Sequence, residues 1–490
     1  MRLSELMGEA RPMGGGAADP EILGLTADSR QVRPGFLFAA LPGGKVDGRD
    51  FVADAAARGA VAVLAPHNTL LPAGLARLPL VADDNPRRRL ALAAARFHGR
   101  QPRTVVAVTG TNGKTSVAEF TRQLWAAMGE PAASLGTLGL VAPDHRRPGS
   151  LTTPDPVALH AALAGLAAGG VEHAALEASS HGLDQFRLDG LTLSAAAFTN
   201  LSRDHLDYHG TMERYLAAKA RLFEALLPPG AAAVLNADAE PFAALAAACR
   251  ARGLRVLSYG RAGSDLRLEA LAPTAGGQRL AVSLLGERRS LDFPVAGAFQ
   301  AHNLLASLGL VIATGARTAD AAEAVARLAG VPGRIELAAR ASNGAAIYVD
   351  YAHTPDALAT VLGALRPHTT GCLSVVFGCG GDRDRGKRPD MGVVAARLAD
   401  RVIVTDDNPR GEPPATIRAA ILAACPGARE IGDRRAAIRA AIAALAPGDL
   451  LVIAGKGHES GQIVAGVTHP FDDREVARSL VAELAAGGRA

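Results

Sequence analysis

One stretch, residues 104–116, restricts the fold more than any other. Thr104 to Val108 is a short apolar run rich in β-branched side chains, the composition of a strand buried on both faces. Gly110, Thr111, Asn112, Gly113, Lys114, Thr115 and Ser116 follow at once, and a helix-forming segment begins at Val117. A strand that turns through glycines into a helix can hold a phosphate. The backbone comes close, its N–H groups converge, and the helix N-terminus adds partial positive charge. In such a loop Lys114 would reach the β- and γ-phosphates and Thr115 would hold a magnesium ion. The common pattern places its first glycine where Val108 stands, so this loop is a shortened variant. The competing reading is an ordinary strand-to-helix turn with a surface lysine. The joint occurrence of strand, glycines, lysine and hydroxyls argues against it.

A chain of 490 residues exceeds what one hydrophobic core supports, so several domains are expected. Hydrophobic residues make up 49% and charged residues 20%, the balance of a soluble globular protein. The net charge is +4 with both signs dispersed. That suits small anionic substrates, and without a long basic run no nucleic-acid partner is expected. Cys249, Cys372, Cys379 and Cys425 form no Cys-x-x-Cys pair and are too sparse for a disulfide scaffold, so free thiols in a reducing compartment are expected. The first ten residues carry no apolar signal core, and no apolar run reaches membrane-spanning length. A cytoplasmic protein without membrane insertion is the expectation.

The domain reading follows the alternation of strands and helices. Residues 1–101 read as a small α/β domain, with strands near 36–41 and 60–64 and a helix stopped by Gly59. Its polar loops, around Ser29 and from Gly44 through Lys45 and Val46, could bind something polar or be plain turns. Pro102 opens a central domain, 102–333. Here the hydroxyl-rich loop 151–156 leads into a helix from Val157 to Leu166, and the strand before Glu177 ends in Ser179, Ser180 and His181. Ligands of open parallel sheets lie beyond the carboxyl ends of the strands, so Glu177 is placed to meet a metal. Another such end carries Asp204, His205, Asp207 and His209. The helix expected from Met212 to Phe223 bears Lys219, by composition a solvated lysine. Residues 254–295 read as an antiparallel patch. The third domain, 334–490, shows strands ending at Asp350, Gly378, Asp406 and Gly455, each followed by a polar loop. That is a doubly wound, Rossmann-like unit. The fold class is therefore α/β: three domains, a central P-loop-type parallel sheet flanked by an N-terminal α/β domain and a C-terminal Rossmann-like domain.

A phosphate loop between two such domains suggests ATP chemistry that joins two other molecules, with a carboxylate activated as an acyl phosphate and then attacked by an amine. The motifs at 110–116, 177–181, 204–210, 302–303, 333–334 and 350–355 resemble, in the same order and over nearly the whole chain, those of the Mur ligases of peptidoglycan synthesis. The run Asp407, Asn408, Pro409, Arg410 is similar to that of members taking a diamino acid. The resemblance implies ATP and Mg2+ as cofactors, with Lys114, Glu177, His205 and Lys219 catalytic and Thr115, Glu177, His205 and Lys219 around the metal. Lys219 matches the lysine this family carbamylates with CO2, which replaces its bland reading. Asn303, Arg334, Asp350 and His353 would complete the nucleotide site begun at 110–116. UDP-N-acetylmuramoyl-L-alanyl-D-glutamate would meet Ser29, Gly44, Lys45, Val46, Thr152, Thr153, Ser179, Gln185 and Arg187. The amine, meso-diaminopimelate, would meet Arg383, Asp407, Asn408, Pro409, Arg410, Gly455 and Glu459. Arg410 favours diaminopimelate over lysine, because lysine lacks the second carboxylate and would leave the guanidinium unpaired. A monomer is expected. The sequence departs from the family at Gln300, where relatives commonly carry Asn, and that residue is left out of the site.

Two rivals remain at this point. A folylpolyglutamate synthetase shares the shortened loop but lacks a separate UDP-binding module, whereas about a hundred residues precede Pro102 here. An ATP-binding switch or scaffold would bind nucleotide and ligate nothing.

Overall fold

The computed structural model describes residues 1–8, 19–44, 46–149, 151–274 and 276–487. The chain divides into two compact units, Met1–Ser264 with Ala306–Arg317, and Asp265–Leu305 with Thr318–Ala490.

In the first unit, β1 (Gly24–Thr26), β2 (Phe36–Ala39), β3 (Ala60–Pro66) and β4 (Leu80–Asp83) form a parallel sheet in sequence order. The helix Pro86–His98 closes it, because Asn85 caps its start, Pro86 fits the first turn, and Gly99 ends it in the left-handed region (φ +64°). The larger sheet of this unit contains β5 (Thr104–Thr109), β6 (Ala132–Gly136), β7 (Gly139–Val141), β8 (Arg146–Arg147), β9 (His173–Glu177), β10 (Ala195–Phe198), β11 (Ala232–Asn236) and β12 (Arg255–Gly260). Their order is β12-β11-β10-β5-β9-β6-β7-β8, parallel from β12 to β6. Every residue of β5, β9 and β10 is buried, as expected of strands covered on both faces. The sheet places β5 between β9 and β10, so the loops leaving three adjacent strands open at one edge.

Two expected elements differ. Residues 255–260 form β12, which runs parallel beside β11. The intervening helix Phe242–Ala251 supplies the crossover that a parallel pairing requires. The helix carrying Lys219, Met212–Arg221, runs on as a wider turn over Leu222–Leu226.

In the second unit, β13 (Leu266–Thr274), β14 (Gly277–Leu284) and β15 (Glu287–Phe293) form the antiparallel meander. Then come β16 (Glu336–Arg340), β17 (Ala346–Asp350), β18 (Leu373–Phe377), β19 (Arg401–Val404), β20 (Arg429–Glu430) and β21 (Leu450–Ala454), ordered β16-β17-β21-β18-β19-β20. Only the β16–β17 pairing is antiparallel. The hairpin β22 (Gly461–Val464) and β23 (Val467–Pro470) follows. The carboxyl ends of β17, β18, β19 and β21 share one edge, as the sequence predicts for this α/β unit. All four cysteines are free. No helix among the described residues is long and apolar enough to cross a membrane.

Candidate active site

The chain leaves β5 through Gly110 (φ +145°) and Gly113 (φ +89°) before the helix Lys114–Ala127 begins. Gly110 cannot be otherwise: a Cβ there would stand 1.9 Å from Thr199 Oγ1. Thr199 and Asn200, just past β10, frame the loop. Thr199 Oγ1 donates to the Asn112 carbonyl at 2.6 Å and to that of Thr109 at 3.3 Å. Asn200 accepts from the amides of Thr111 and Asn112, each at 2.9 Å. Lys114 Nζ donates to the carbonyls of Gly110 and Thr111, both at 2.8 Å, and so lies over the loop. Ser116 is buried in the first helical turn. The result is a preformed cradle with a helix N-terminus at its floor.

Glu177, at the end of β9, is 3% exposed. Its Oε2 accepts from Thr115 Oγ1 at 3.0 Å, and its Oε1 accepts from the Thr137 amide at 2.7 Å. Gly136 permits that approach, since a Cβ there would lie 2.0 Å from Glu177 Oε1. Thr137 Oγ1 in turn meets Glu177 at 3.2 Å and Thr152 at 3.1 Å. Thr153 Oγ1 donates to the Glu177 carbonyl at 2.7 Å and lies 3.0 Å from Ser179 Oγ. Arg187 donates to the Thr153 carbonyl at 2.7 Å and to Gln185 at 2.7 Å. The predicted residues Thr152, Thr153, Ser179, Gln185 and Arg187 thus form one chain of contacts leading to Glu177.

Lys219 is not solvated at all: it is 1% exposed. Its Nζ donates to the Gly110 carbonyl at 2.8 Å and sits 4.2 Å from the centre of the Tyr215 ring. Burial, reinforced by the neighbouring Lys114 charge, pushes its ammonium down to about 6. His205 takes a left-handed backbone (φ +52°), pairs with Asp204 at 3.5 Å, and packs its ring 4.8 Å from that of His181. Among the described residues, no three His, Cys, Asp or Glu side chains could cage a metal ion by themselves.

Of the residues predicted in the first sheet, Ser29 is buried in a short turn, Gly44 and Val46 are exposed, and Lys45 lies outside the described residues.

The second unit gathers two groups. In one, Asp350 at the end of β17 is buried and accepts from the amides of Ile335 and Ala352, each at 2.7 Å. Burial pushes its carboxyl up, opposed by the Arg334 charge. Arg334 lies over the Tyr351 ring at 4.8 Å, and His353 Nδ1 is 2.8 Å from the Tyr351 carbonyl. Gln300, left out on sequence grounds, is a hub: it accepts from Asn303 at 2.8 Å and donates to the Arg334 carbonyl at 3.3 Å. In the other group, Arg410 adopts φ +53° and donates to the Gly381 carbonyl at 2.8 Å, while Gly381 N donates to the Asn408 carbonyl at 2.9 Å. The loop bearing Arg383, itself exposed, is thereby latched to the loop of Asp407, Asn408, buried Pro409 and Arg410. Gly455 (φ +113°) lets Asp407 approach, since a Cβ would lie 2.8 Å from Asp407 Oδ2. Asp407 is buried and its Oδ1 has no hydrogen-bond partner; burial pushes its carboxyl up against the opposing charges of Arg434 and Lys456. Arg434 and Asp473, both wholly enclosed, pair at 2.7 Å and brace the loop through the Asp406 and Ala454 carbonyls.

Sheet, loop and strand-end carboxylates define the class, an α/β phosphate-loop protein with a second doubly wound unit. Three family descriptions cover most of it. "Mur ligase family, catalytic domain" matches residues 21–98, "Mur ligase middle domain" 108–311, and "Mur ligase, glutamate ligase domain" 333–457. The chain belongs to the Mur ligase family. A relative from Caulobacter vibrioides, named UDP-N-acetylmuramoyl-L-alanyl-D-glutamate–2,6-diaminopimelate ligase, is 58% identical over 98% of both chains. One of the same name from Mesorhizobium japonicum is 56% identical over 99% of this chain and 100% of its own length. A solved structure with that name shares 35% identity over 99% of both chains, with a TM-score of 0.74. A Mycobacterium tuberculosis folylpolyglutamate synthase, solved with ADP and AMPPCP, shares only the fold, at 21% identity, 81% of this chain, 94% of that chain and a TM-score of 0.62.

Proposed function

We propose that the chain is an ATP-dependent ligase that adds meso-2,6-diaminopimelate to UDP-N-acetylmuramoyl-L-alanyl-D-glutamate through an acyl phosphate, a step of cell-wall peptidoglycan synthesis. The observation that carries this reading is the end-to-end likeness to diaminopimelate ligases at more than half identity. The division 1–101, 102–333 and 334–490 belongs to the same reading and is supported by the three matched spans.

In this reading the loop amides and Lys114 bind the ATP phosphates and offset the charge on the transferring phosphoryl group. Thr115 and Glu177 offer hard oxygen donors in a pocket kept open by Gly136, which fits Mg2+ held jointly with phosphate oxygens. Bound there, the ion would neutralise phosphate charge; His205 stands as a further contact. A buried, neutral Lys219 amine suits reaction with CO2 to a carbamate, an added anion for a second ion. Asn303, Arg334, Asp350 and His353 are the nucleotide contacts of the second unit, with Gln300 holding Asn303 and Arg334 in register. Thr152, Thr153, Ser179, Gln185 and Arg187, with Ser29, Gly44, Lys45 and Val46, receive the UDP-muramoyl dipeptide. Arg383 and Arg410 take carboxylates of the amine, and Asp407 and Glu459 take its ammonium groups.

A separate N-terminal module matched at 21–98 speaks against the folylpolyglutamate alternative. The test is a competition of meso-diaminopimelate, L-lysine and L-glutamate for ATP-dependent ligation to the UDP-muramoyl dipeptide. Diaminopimelate product is expected; preferential use of either rival, or ATP binding with no product, overturns the reading.

A further inference from the structure

Lys456, one residue past Gly455, is wholly enclosed, with 0% exposure. Isolating an ammonium from water is unfavourable unless its three N–H groups find acceptors. Here they do: Nζ donates to the Gly461 carbonyl at 2.5 Å, to Asn408 Oδ1 at 3.1 Å and to Glu459 Oε2 at 3.2 Å, with Asp407 Oδ1 at 3.9 Å. Those bonds dictate how the amine pocket is presented. Asn408 Oδ1 also accepts from the Ile463 amide at 2.9 Å. Two donors on one atom fix which end of the carboxamide is oxygen, so Nδ2 must face Glu459, and it donates to Glu459 Oε2 at 2.9 Å. Lys456 and Asn408 therefore both anchor the same oxygen of Glu459, leaving Oε1 to meet a ligand; the Glu459 side chain is 35% exposed. The enclosed cation also separates two carboxylates, Asp407 and Glu459, that would otherwise repel each other.

We propose that Lys456 is a positioning residue for amine specificity: without touching substrate, it locks Asn408 and Glu459 so that Glu459 presents one ionised oxygen to the ammonium of the incoming amine. This rests on the ligase reading above.

Two variants test it in the full-length enzyme, Lys456→Met, which keeps bulk without charge, and Lys456→Gln, which keeps a donor. Near-ultraviolet circular dichroism checks the fold. In Lys456→Met the KM for diaminopimelate should rise on the order of ten- to a hundredfold, the worth of one or two charge-assisted hydrogen bonds. The KM values for ATP and for the UDP-muramoyl dipeptide should stay unchanged, and Lys456→Gln should recover part of the loss. An unchanged KM for diaminopimelate, a parallel rise for all three substrates, or loss of fold in both variants each overturns the proposal, the last two because the role would then be structural. Wild-type turnover of diaminopimelate runs alongside. Its absence would defeat the ligase reading, whereas normal wild-type turnover with an indifferent Lys456→Met defeats only this inference.

Discussion

Replacing Gly110 with alanine should disable nucleotide binding through one contact. The new Cβ would lie 1.9 Å from Thr199 Oγ1, a separation no side chain tolerates, so the hydroxyl must swing away. Its single proton would leave the Asn112 carbonyl, with the longer Thr109 carbonyl sharing it, at about 1 kcal/mol. Holding alanine at φ +145° adds strain of about 1–3 kcal/mol. The sum, about 2–4 kcal/mol, corresponds to a loss of ADP affinity on the order of thirty- to a thousandfold if the bound loop must keep its shape. Isothermal titration with ADP reads this directly. A cycle sharpens it. Once Thr199→Ala is in place the next-nearest atom to the new Cβ is the Asn200 amide nitrogen at 3.0 Å. Gly110→Ala then has no hydroxyl left to displace, so the double variant should be better than additive by about 1 kcal/mol. Additive losses, or an alanine variant binding ADP as the wild type does, would refute the reasoning.

Other outcomes follow from the same geometry. Arg410→Ala should raise the KM for diaminopimelate far more than that for ATP if, as proposed, the guanidinium takes a carboxylate of the amine; equal effects in steady-state kinetics would refute the assignment. Lys219, held at about 6 against an ordinary 10.5, is neutral in the folded chain above about pH 6. The unfolded chain keeps that proton up to about pH 10.5, so burial of this group destabilises the fold increasingly as pH falls from about 10.5, reaching its full extent below about 6. A carbamate needs the neutral amine. With 13C-labelled bicarbonate its resonance should therefore grow as pH rises through about 6 and vanish in Lys219→Met, and a signal indifferent to either change contradicts the role.

The phosphate loop was readable because three local signals coincide at 104–116: a β-branched run, paired glycines, and a lysine with hydroxyls. The same holds for the second unit, where each parallel strand ends in a polar loop. Other features were invisible to local pattern. Residues 255–260 read as strands of the antiparallel patch that follows, yet they run parallel beside β11, reached through a helix. Composition gives Lys219 to solvent, and only tertiary packing against Tyr215 and the Gly110 carbonyl encloses it. Gln300 departs from the family pattern, yet its longer amide joins Asn303 to Arg334. Lys456 carries no signal beyond standing next to Gly455. Its importance comes from four groups contributed by other parts of the loop edge.

Isotope transfer tests most directly whether the loop at 110–116 energises a carboxylate before an amine attacks it. UDP-muramoyl dipeptide labelled with 18O in the glutamate side-chain carboxylate is turned over with ATP and diaminopimelate, and the released phosphate is analysed by mass spectrometry. An acyl phosphate hands one carboxylate oxygen to the departing phosphate, so phosphate carrying a single 18O is predicted. Product formed with unlabelled phosphate would contradict the account.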